Sequence, residues 1–310
     1  GRVYLCEKLK TFADCDVVIE AIIEDLGVKK TLFINLESVV TAHCILATNT
    51  SSLSVTSIAS SLNRPERCIG VHFFNPPVLM KLVEVVPAIQ TNSDITNQVK
   101  KMIESWGKTV VLAKDTPGFI VNKVARPFYS EAIRILEEGI AGVVTIDQAM
   151  TENGFKMGPF TLMDFIGHDV NYRVTESVWK SFFYDSRYRP SFTQLRLLEA
   201  GYLGKKSGKG FYDYTIENTI KQVEDTSLKN SIFLRIISML INEAADTVWQ
   251  QICSKDDVEL AMKLGVNYPK GLLEWGSELG YQKIVDHLDD LHQTYGEERY
   301  RVCRYLRNLA

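Results

Sequence analysis

The chain lacks the signatures of several protein classes. Its six cysteines, at 6, 15, 44, 68, 253 and 303, form no C-x-x-C pair and no Cys/His cluster at zinc spacing, which speaks against a disulfide framework and a zinc centre and for reduced thiols in a cytoplasmic protein. It also lacks a surplus of charge. Lys and Arg number 35 against 38 Asp and Glu, so no general field draws nucleic acid or an anionic membrane, and neither is expected as a partner. Long apolar runs are missing too: even residues 232–241 are interrupted by Arg235, and a membrane helix needs about 20 apolar residues. What remains is an ordinary globular composition, 45% apolar and 24% charged over 310 residues, which suits two or three domains.

The first hundred residues alternate β-rich runs with amphipathic ones. Residues 16–22 (DVVIEAI) read as a buried strand, and 28–40 follow as a helix with Leu32, Phe33, Leu36, Val39 and Val40 on one face. Strands are expected at 44–47, 68–73, 82–86 and 109–112, with helices at 55–62 and 93–106. The alternation implies a largely parallel sheet with helices on its faces. A doubly wound dinucleotide fold opens with a strand, a G-x-G-x-x-G turn and a helix, because only glycine lets backbone amides close on the pyrophosphate. No such glycine cluster precedes Asp16. The expectation is therefore a partial Rossmann-type doubly wound sheet, its opening half absent and the chain starting at Gly1 as though cut inside the domain.

The remainder reads as helical. Thr116-Pro117-Gly118 suits a helix start, and apolar positions Phe119, Ile120, Val124, Phe128, Ala132, Ile135 and Leu136 predict one long helix over 119–138, ended by Gly139. Shorter helices are expected at 145–153 and 159–183, and GYLGKKSGKG at 201–210 is a Gly/Lys loop. Residues 130–150 align without a gap on 242–262, and FKMGPFTLMDFIG at 155–167 echoes YPKGLLEWGSELG at 268–280. Two copies of one helical unit, each covering a face of the other, are the expectation. The predicted organisation is α/β then all-α: a nucleotide-binding domain at 1–114, a first helical domain at 115–215 and its repeat at 216–310.

NTSS at 49–52, GVHFFNP at 70–76, KLVEVV at 81–86, PGFIVNKV at 117–124, MGPF at 157–160 and GKKSGKGFYDY at 204–214 together resemble the NAD-dependent L-3-hydroxyacyl-CoA dehydrogenases. The second helical copy is similar to that of the bacterial 3-hydroxybutyryl-CoA and 3-hydroxyadipyl-CoA dehydrogenases. The resemblance implies NAD as cofactor, an acyl-CoA substrate, oxidation of (S)-3-hydroxyacyl-CoA to 3-oxoacyl-CoA in fatty-acid or phenylacetate-type degradation, and a homodimer paired through helical domains.

The chemistry fits the residues that carry the resemblance. Oxidising a secondary alcohol needs a base for the hydroxyl proton while a hydride leaves, and imidazole titrates in the right range. His72 is the candidate base, at a strand end where open sheets place ligands. Glu84, on the next strand, is the candidate to accept from its other nitrogen and fix the tautomer. Ser51 and Asn122 match the family's catalytic positions and have side chains suited to the substrate oxygen, although a serine in NTSSLS also suits a turn or helix cap. By resemblance Glu24, Lys29, Ser51 and Asn75 face the cofactor, and Lys206 reaches into the cleft. No metal site is expected, and the family's coenzyme A contacts would lie upstream of Gly1. Leu234 stands opposite Asn122 in the aligned second copy, which is read as structural. Two rival readings stay open: a sugar-acid dehydrogenase of the same fold, and a non-catalytic helical dimerisation module.

Overall fold

The computed structural model describes residues 3–216 and 223–310. The chain divides into two compact units, Gly1–Phe119 and Ile120–Ala310. The expected start of a third domain at residue 216 borders residues 217–222, and both those residues and Gly1 lie outside the described ones.

The first unit is a five-stranded sheet with helices. Its elements run β1 (Val17–Glu20), α1 (Leu26–Glu37), β2 (Ile45–Thr48), α2 (Val55–Ala59), β3 (Cys68–Phe73), β4 (Leu82–Pro87), α3 (Ser93–Ser105) and β5 (Thr109–Leu112). The strands lie in the order β1-β2-β3-β4-β5. β1, β2 and β3 are parallel, and β5 is parallel to β4. β3 and β4 are antiparallel, so the largely parallel sheet that was expected carries one antiparallel junction. The reason is loop length: residues 74–81 are too few for the dozen or more that a parallel crossover needs. Among the described residues the order never reverses, so the strands present do not by themselves make a doubly wound sheet.

Side-chain pattern explains the layers. Ile45, Ala47, Ile69, Val71, Val83, Val85 and Val110 form one sheet face, packed against Val99 and Ile103 of α3. α1 starts at Asp25, whose carboxylate accepts from Val28 N at 2.9 Å, and buries Phe33 and Leu36. α2 closes on β3 at Gly70, where a Cβ would lie 2.8 Å from Val55 Cγ2. Asp115 fixes the start of α2 by accepting from Ser54 Oγ, Val55 N and Thr56 N at 2.9, 3.0 and 2.6 Å.

The second unit is helical: α4 (Val121–Val124), α5 (Arg126–Glu137), α6 (Val143–Thr151), α7 (Pro159–Ile166), α8 (His168–Ser181), α9 (Phe192–Glu199), α10 (Thr226–Trp249), α11 (Lys255–Gly265), α12 (Leu272–Leu279), α13 (Tyr281–Tyr295) and α14 (Arg304–Leu309). The single helix expected over 119–138 is two, separated at Ala125, and it starts later because Phe119 has φ 48°. The helix expected over 159–183 is also two. Gly167, at φ 97°, ends α7 and turns the chain into α8, a left-handed position that glycine takes without steric cost.

α10 is the axis of this unit, packed along α5 and against α4, α6, α11, α12, α13 and α14. Its buried polar contacts recur at a fixed offset. Tyr188 Oη and Lys123 Nζ both donate to Glu243 Oε1 at 2.5 Å, while Tyr300 Oη and Arg235 Nε both donate to Glu131 Oε1 at 2.7 and 2.6 Å. Asp147 accepts from Phe160 N and Thr161 N at the start of α7, and Glu259 accepts from Leu273 N and Glu274 N at the start of α12. Among the described residues no helix is long and apolar enough to cross a membrane.

Candidate active site

The first unit gathers polar side chains where β1, β2 and β3 end. The buried Lys29 of α1 lies between two carboxylates, 2.6 Å from Glu20 Oε1 and 3.3 Å from Glu24 Oε2. Glu20 also accepts from Thr48 Oγ1 at 2.7 Å, tying α1 to the ends of β1 and β2. Glu24 gathers the turn after β2. Its Oε1 accepts from Thr50 Oγ1 at 2.6 Å, Ser51 N at 3.0 Å and Ser52 N at 3.2 Å, and Ser51 Oγ lies 3.3 Å away. Burial raises the Glu24 pKa, but the Thr50 hydroxyl, the Ser51 amide and the Lys29 ammonium outweigh it and hold the carboxyl below its ordinary range.

On the neighbouring strand pair, the antiparallel register sets His72 directly opposite Glu84. Opposed residues on paired strands bring their side chains within contact, and His72 Nδ1 lies 2.6 Å from Glu84 Oε2. Both are buried, Glu84 completely. The imidazole is flanked by Phe74 at 4.6 Å and Phe119 at 5.8 Å between ring centroids. Asn49 Oδ1 accepts from Phe73 N at 2.8 Å, so the residue beginning the Asn-Thr-Ser-Ser turn also ties that turn to the strand carrying His72.

Asn75 is exposed and precedes Pro76 through a cis peptide bond. Asn122 and Lys206 belong to the second unit. Asn122 sits on α4, half-buried, and its carbonyl accepts from Arg126 Nε at 3.0 Å. Lys206 Nζ lies 2.5 Å from Asp169 Oδ1; that hydrogen bond is the main cause holding the Asp169 carboxyl below its usual range. The residues that follow Lys206 are held by Asp164, which accepts from Phe211 N and Tyr212 N at 2.9 Å each and pairs with His168 Nε2 at 2.7 Å.

Three contributors were not singled out in the sequence: Glu20, Asn49 and Phe119. Asn49 had a signal, since it opens the NTSS run. Phe119 and Glu20 read as ordinary members of an apolar helix start and a buried strand. In chemical terms, the buried carboxylate favours the ring tautomer with a proton on Nδ1, which leaves the Nε2 lone pair able to accept one.

A family model described as 3-hydroxyacyl-CoA dehydrogenase, NAD binding domain, matches residues 1–116, and one described as 3-hydroxyacyl-CoA dehydrogenase, C-terminal domain, matches residues 118–214 and 232–310. The first match leaves the expectation of an absent opening half without support: the N-terminal domain of that description is present. The chain is 37% identical to 3-hydroxyadipyl-CoA dehydrogenase of Escherichia coli, over 97% of this chain and 82% of that protein. It is 44% identical to a probable 3-hydroxybutyryl-CoA dehydrogenase of Bacillus subtilis, over 69% of this chain and 75% of the relative. A crystal structure of 3-hydroxybutyryl-CoA dehydrogenase from Escherichia coli superposes with a TM-score of 0.92 at 37% identity, covering 97% of this chain and 82% of that one.

Proposed function

The chain belongs to the 3-hydroxyacyl-CoA dehydrogenase family, and on that premise we propose the residues that carry its NAD-dependent oxidation of 3-hydroxyacyl-CoA in fatty-acid degradation. His72 takes the proton of the 3-hydroxyl group on Nε2, and Glu84, 2.6 Å from Nδ1, orients the ring and stabilises the imidazolium that results. Ser51 and Asn122 serve the substrate oxygen by donating to it as the carbonyl forms. NAD, when bound, accepts the hydride leaving C3. The balance is an alcohol oxidised to a ketone, NAD reduced to NADH, and one proton released through His72.

The sheet end fits the nicotinamide end of that cofactor. Glu24 holds the Thr50-Ser51-Ser52 turn and Lys29 in one hydrogen-bonded set, and Asn75 is exposed at the end of the neighbouring strand. Glu24, Lys29, Ser51 and Asn75 would hold the cofactor there, and Lys206, paired with Asp169 in the second unit, is the further candidate that the resemblance supplies.

The observation carrying the reading is the His72–Glu84 pair, for which a non-catalytic dimerisation module has no use. Two helical copies are supported by the recurring contacts of Glu131 and Glu243 and by the two segments matching the C-terminal family model. A homodimer through the helical domains would have to use a face other than that between α5 and α10, which the chain closes on itself. Sedimentation velocity tests this. A cytoplasmic location is tested by fractionation. The function itself is tested by reducing acetoacetyl-CoA with NADH: His72→Gln should lower turnover by about 10²–10⁴ with little change in substrate KM, and undiminished turnover would remove His72 from the mechanism.

A further inference from the structure

The second unit contains a cavity of about 470 Å³ between α5, α8 and α9, a size that suits a small-molecule site. Arg126, at the start of α5, lines it with only 6% of its surface exposed. Its guanidinium is held in one orientation. Nε donates to Asn122 O at 3.0 Å, Nη1 donates to Thr175 Oγ1 at 3.1 Å, and the group lies 4.9 Å from the centroid of the Tyr129 ring. Among the described residues no carboxylate pairs with it, and Nη2 makes no hydrogen bond. Burial pushes its pKa down, against the weaker opposing effect of the Tyr129 and Tyr268 hydroxyls. A buried cation that meets only neutral acceptors is costly, and an anion joining it is correspondingly favoured.

A second donor in the same wall is unmatched. Trp179 lines the cavity, held edge-to-face against Tyr184 at 5.0 Å between centroids, and its Nε1 is buried without a hydrogen-bond partner. Among the described residues the lining has a single carboxylate, Glu137, which is exposed and already accepts from Thr193 Oγ1 at 2.7 Å. Ile133, Tyr172, Phe192 and Leu195 supply an apolar surround. The aligned second copy has Ser238 where the first has Arg126, so a charge at this position is not a requirement of the helical packing.

We propose that this cavity is a binding site for a free aliphatic monocarboxylate, with the Arg126 guanidinium and the Trp179 indole N–H as donors to its oxygens. The class of ligand follows from the wall. A guanidinium presents the fork that carboxylate oxygens match, and the apolar side chains beside it take a hydrocarbon tail. A phosphate would bring a further oxygen and a second charge that these two buried donors do not serve. The site lies within the second unit and is independent of the roles given to His72 and Glu84, so its test reads binding and not turnover.

Sodium hexanoate is the probe, titrated by calorimetry at constant ionic strength and followed in parallel by thermal unfolding, with 1-hexanol as the uncharged control of equal length. Hexanoate should bind once per chain and raise the Tm, and hexanol should bind about 10-fold or more weakly. Arg126→Met should lose about 10-fold or more in hexanoate affinity while its affinity for hexanol stays within about 3-fold. Arg126→Lys should keep part of the affinity, and Trp179→Phe should give a smaller loss confined to hexanoate. Should Arg126→Met fail to fold, the lysine and phenylalanine variants carry the same comparison. Hexanoate should also bind equally well with acetoacetyl-CoA present; mutual exclusion of the two would assign the cavity to a thioester's acyl chain and overturn a site for the free acid. No binding of hexanoate, equal binding of hexanol, tighter binding of inorganic phosphate, or hexanoate affinity unchanged in the variants would each overturn the proposal as well.

Discussion

Tyr188 and Tyr300 stand 112 residues apart and make corresponding bonds: Tyr188 donates to Glu243, which sits on α10, and Tyr300 donates to Glu131, which sits on α5. Lys123 and Arg235, separated by the same interval, supply the cation at each glutamate. The Oε1 atom of each buried carboxylate thus accepts from groups that only the folded pair of segments brings together.

Removing one member should therefore cost more than the pair is worth. Lys123 is completely buried beside Glu243, so Glu243→Ala leaves an ammonium in the interior, with Asp246 3.3 Å away as its remaining carboxylate. The expected loss is about 3–5 kcal/mol, whereas Lys123→Met combined with Glu243→Leu should recover most of it, because an apolar pair replaces a buried ion pair at little net cost. Urea midpoints of the wild type, both single variants and the double variant measure this. A double variant no more stable than Glu243→Ala would show that the carboxylate acts through other partners.

Glu84→Gln separates orientation from mere packing. The amide occupies the same space opposite His72 but can present an N–H to Nδ1, favouring the ring tautomer that carries its proton on Nε2. Turnover with NADH and acetoacetyl-CoA should fall by about 10²–10⁴ with KM little changed, and thermal stability should change far less than activity. A variant that loses stability and keeps its turnover would make Glu84 a packing residue.

Much of this was legible in the sequence, for physical reasons. The strand at residues 109–112 (TVVL) is dense in β-branched side chains, and the one at 68–73 alternates Ile69 and Val71 with other residues; the sheet places both there. The His72–Glu84 contact follows from a separation that suits adjacent strands joined by a short loop. That same loop shows β3 and β4 to be antiparallel, but the pattern of apolar runs carries no strand direction. The split at Ala125 was hidden because α4 and α5 keep helical apolar spacing through the break, and the one at Gly167 because a single glycine inside a periodic run is compatible with either outcome. Glu20, Lys29 and Arg126 were opaque for another reason. A charged residue inside an apolar run gives no sign of which distant group satisfies it.

Acid should loosen the turn that carries Ser51. Glu24 has a folded-state pKa below its ordinary value of 4.5 because Thr50, Ser51 and Lys29 favour the carboxylate over the opposing effect of burial. A depressed pKa contributes stability that is present above the unfolded value and is lost as pH falls through the folded one. The wild type should therefore exceed Glu24→Gln in stability at neutral pH, with the gap closing as pH is lowered below 4.5. Urea midpoints of both proteins at a series of pH values between 7 and 3, spanning about the carboxylate range, check this. A gap constant across the series would mean that Glu24 acts by shape alone.

The cysteines should differ sharply in reactivity. Burial pushes the Cys68 thiol up to about 12, so about one molecule in 10⁴ carries the thiolate at pH 8, and the thiolate is the reacting form. Cys44 is also raised by burial, against the opposing charge of Arg67, whereas Cys6 is exposed. Brief labelling of the native protein with an alkylating reagent at pH 8, followed by peptide mass spectrometry, should mark Cys6 and leave Cys44 and Cys68 unmodified until denaturant is added. Labelling of Cys68 at the rate of Cys6 would require β3 to open on the timescale of the reaction. The same strand carries His72, so such opening would also break the register that sets the imidazole against Glu84.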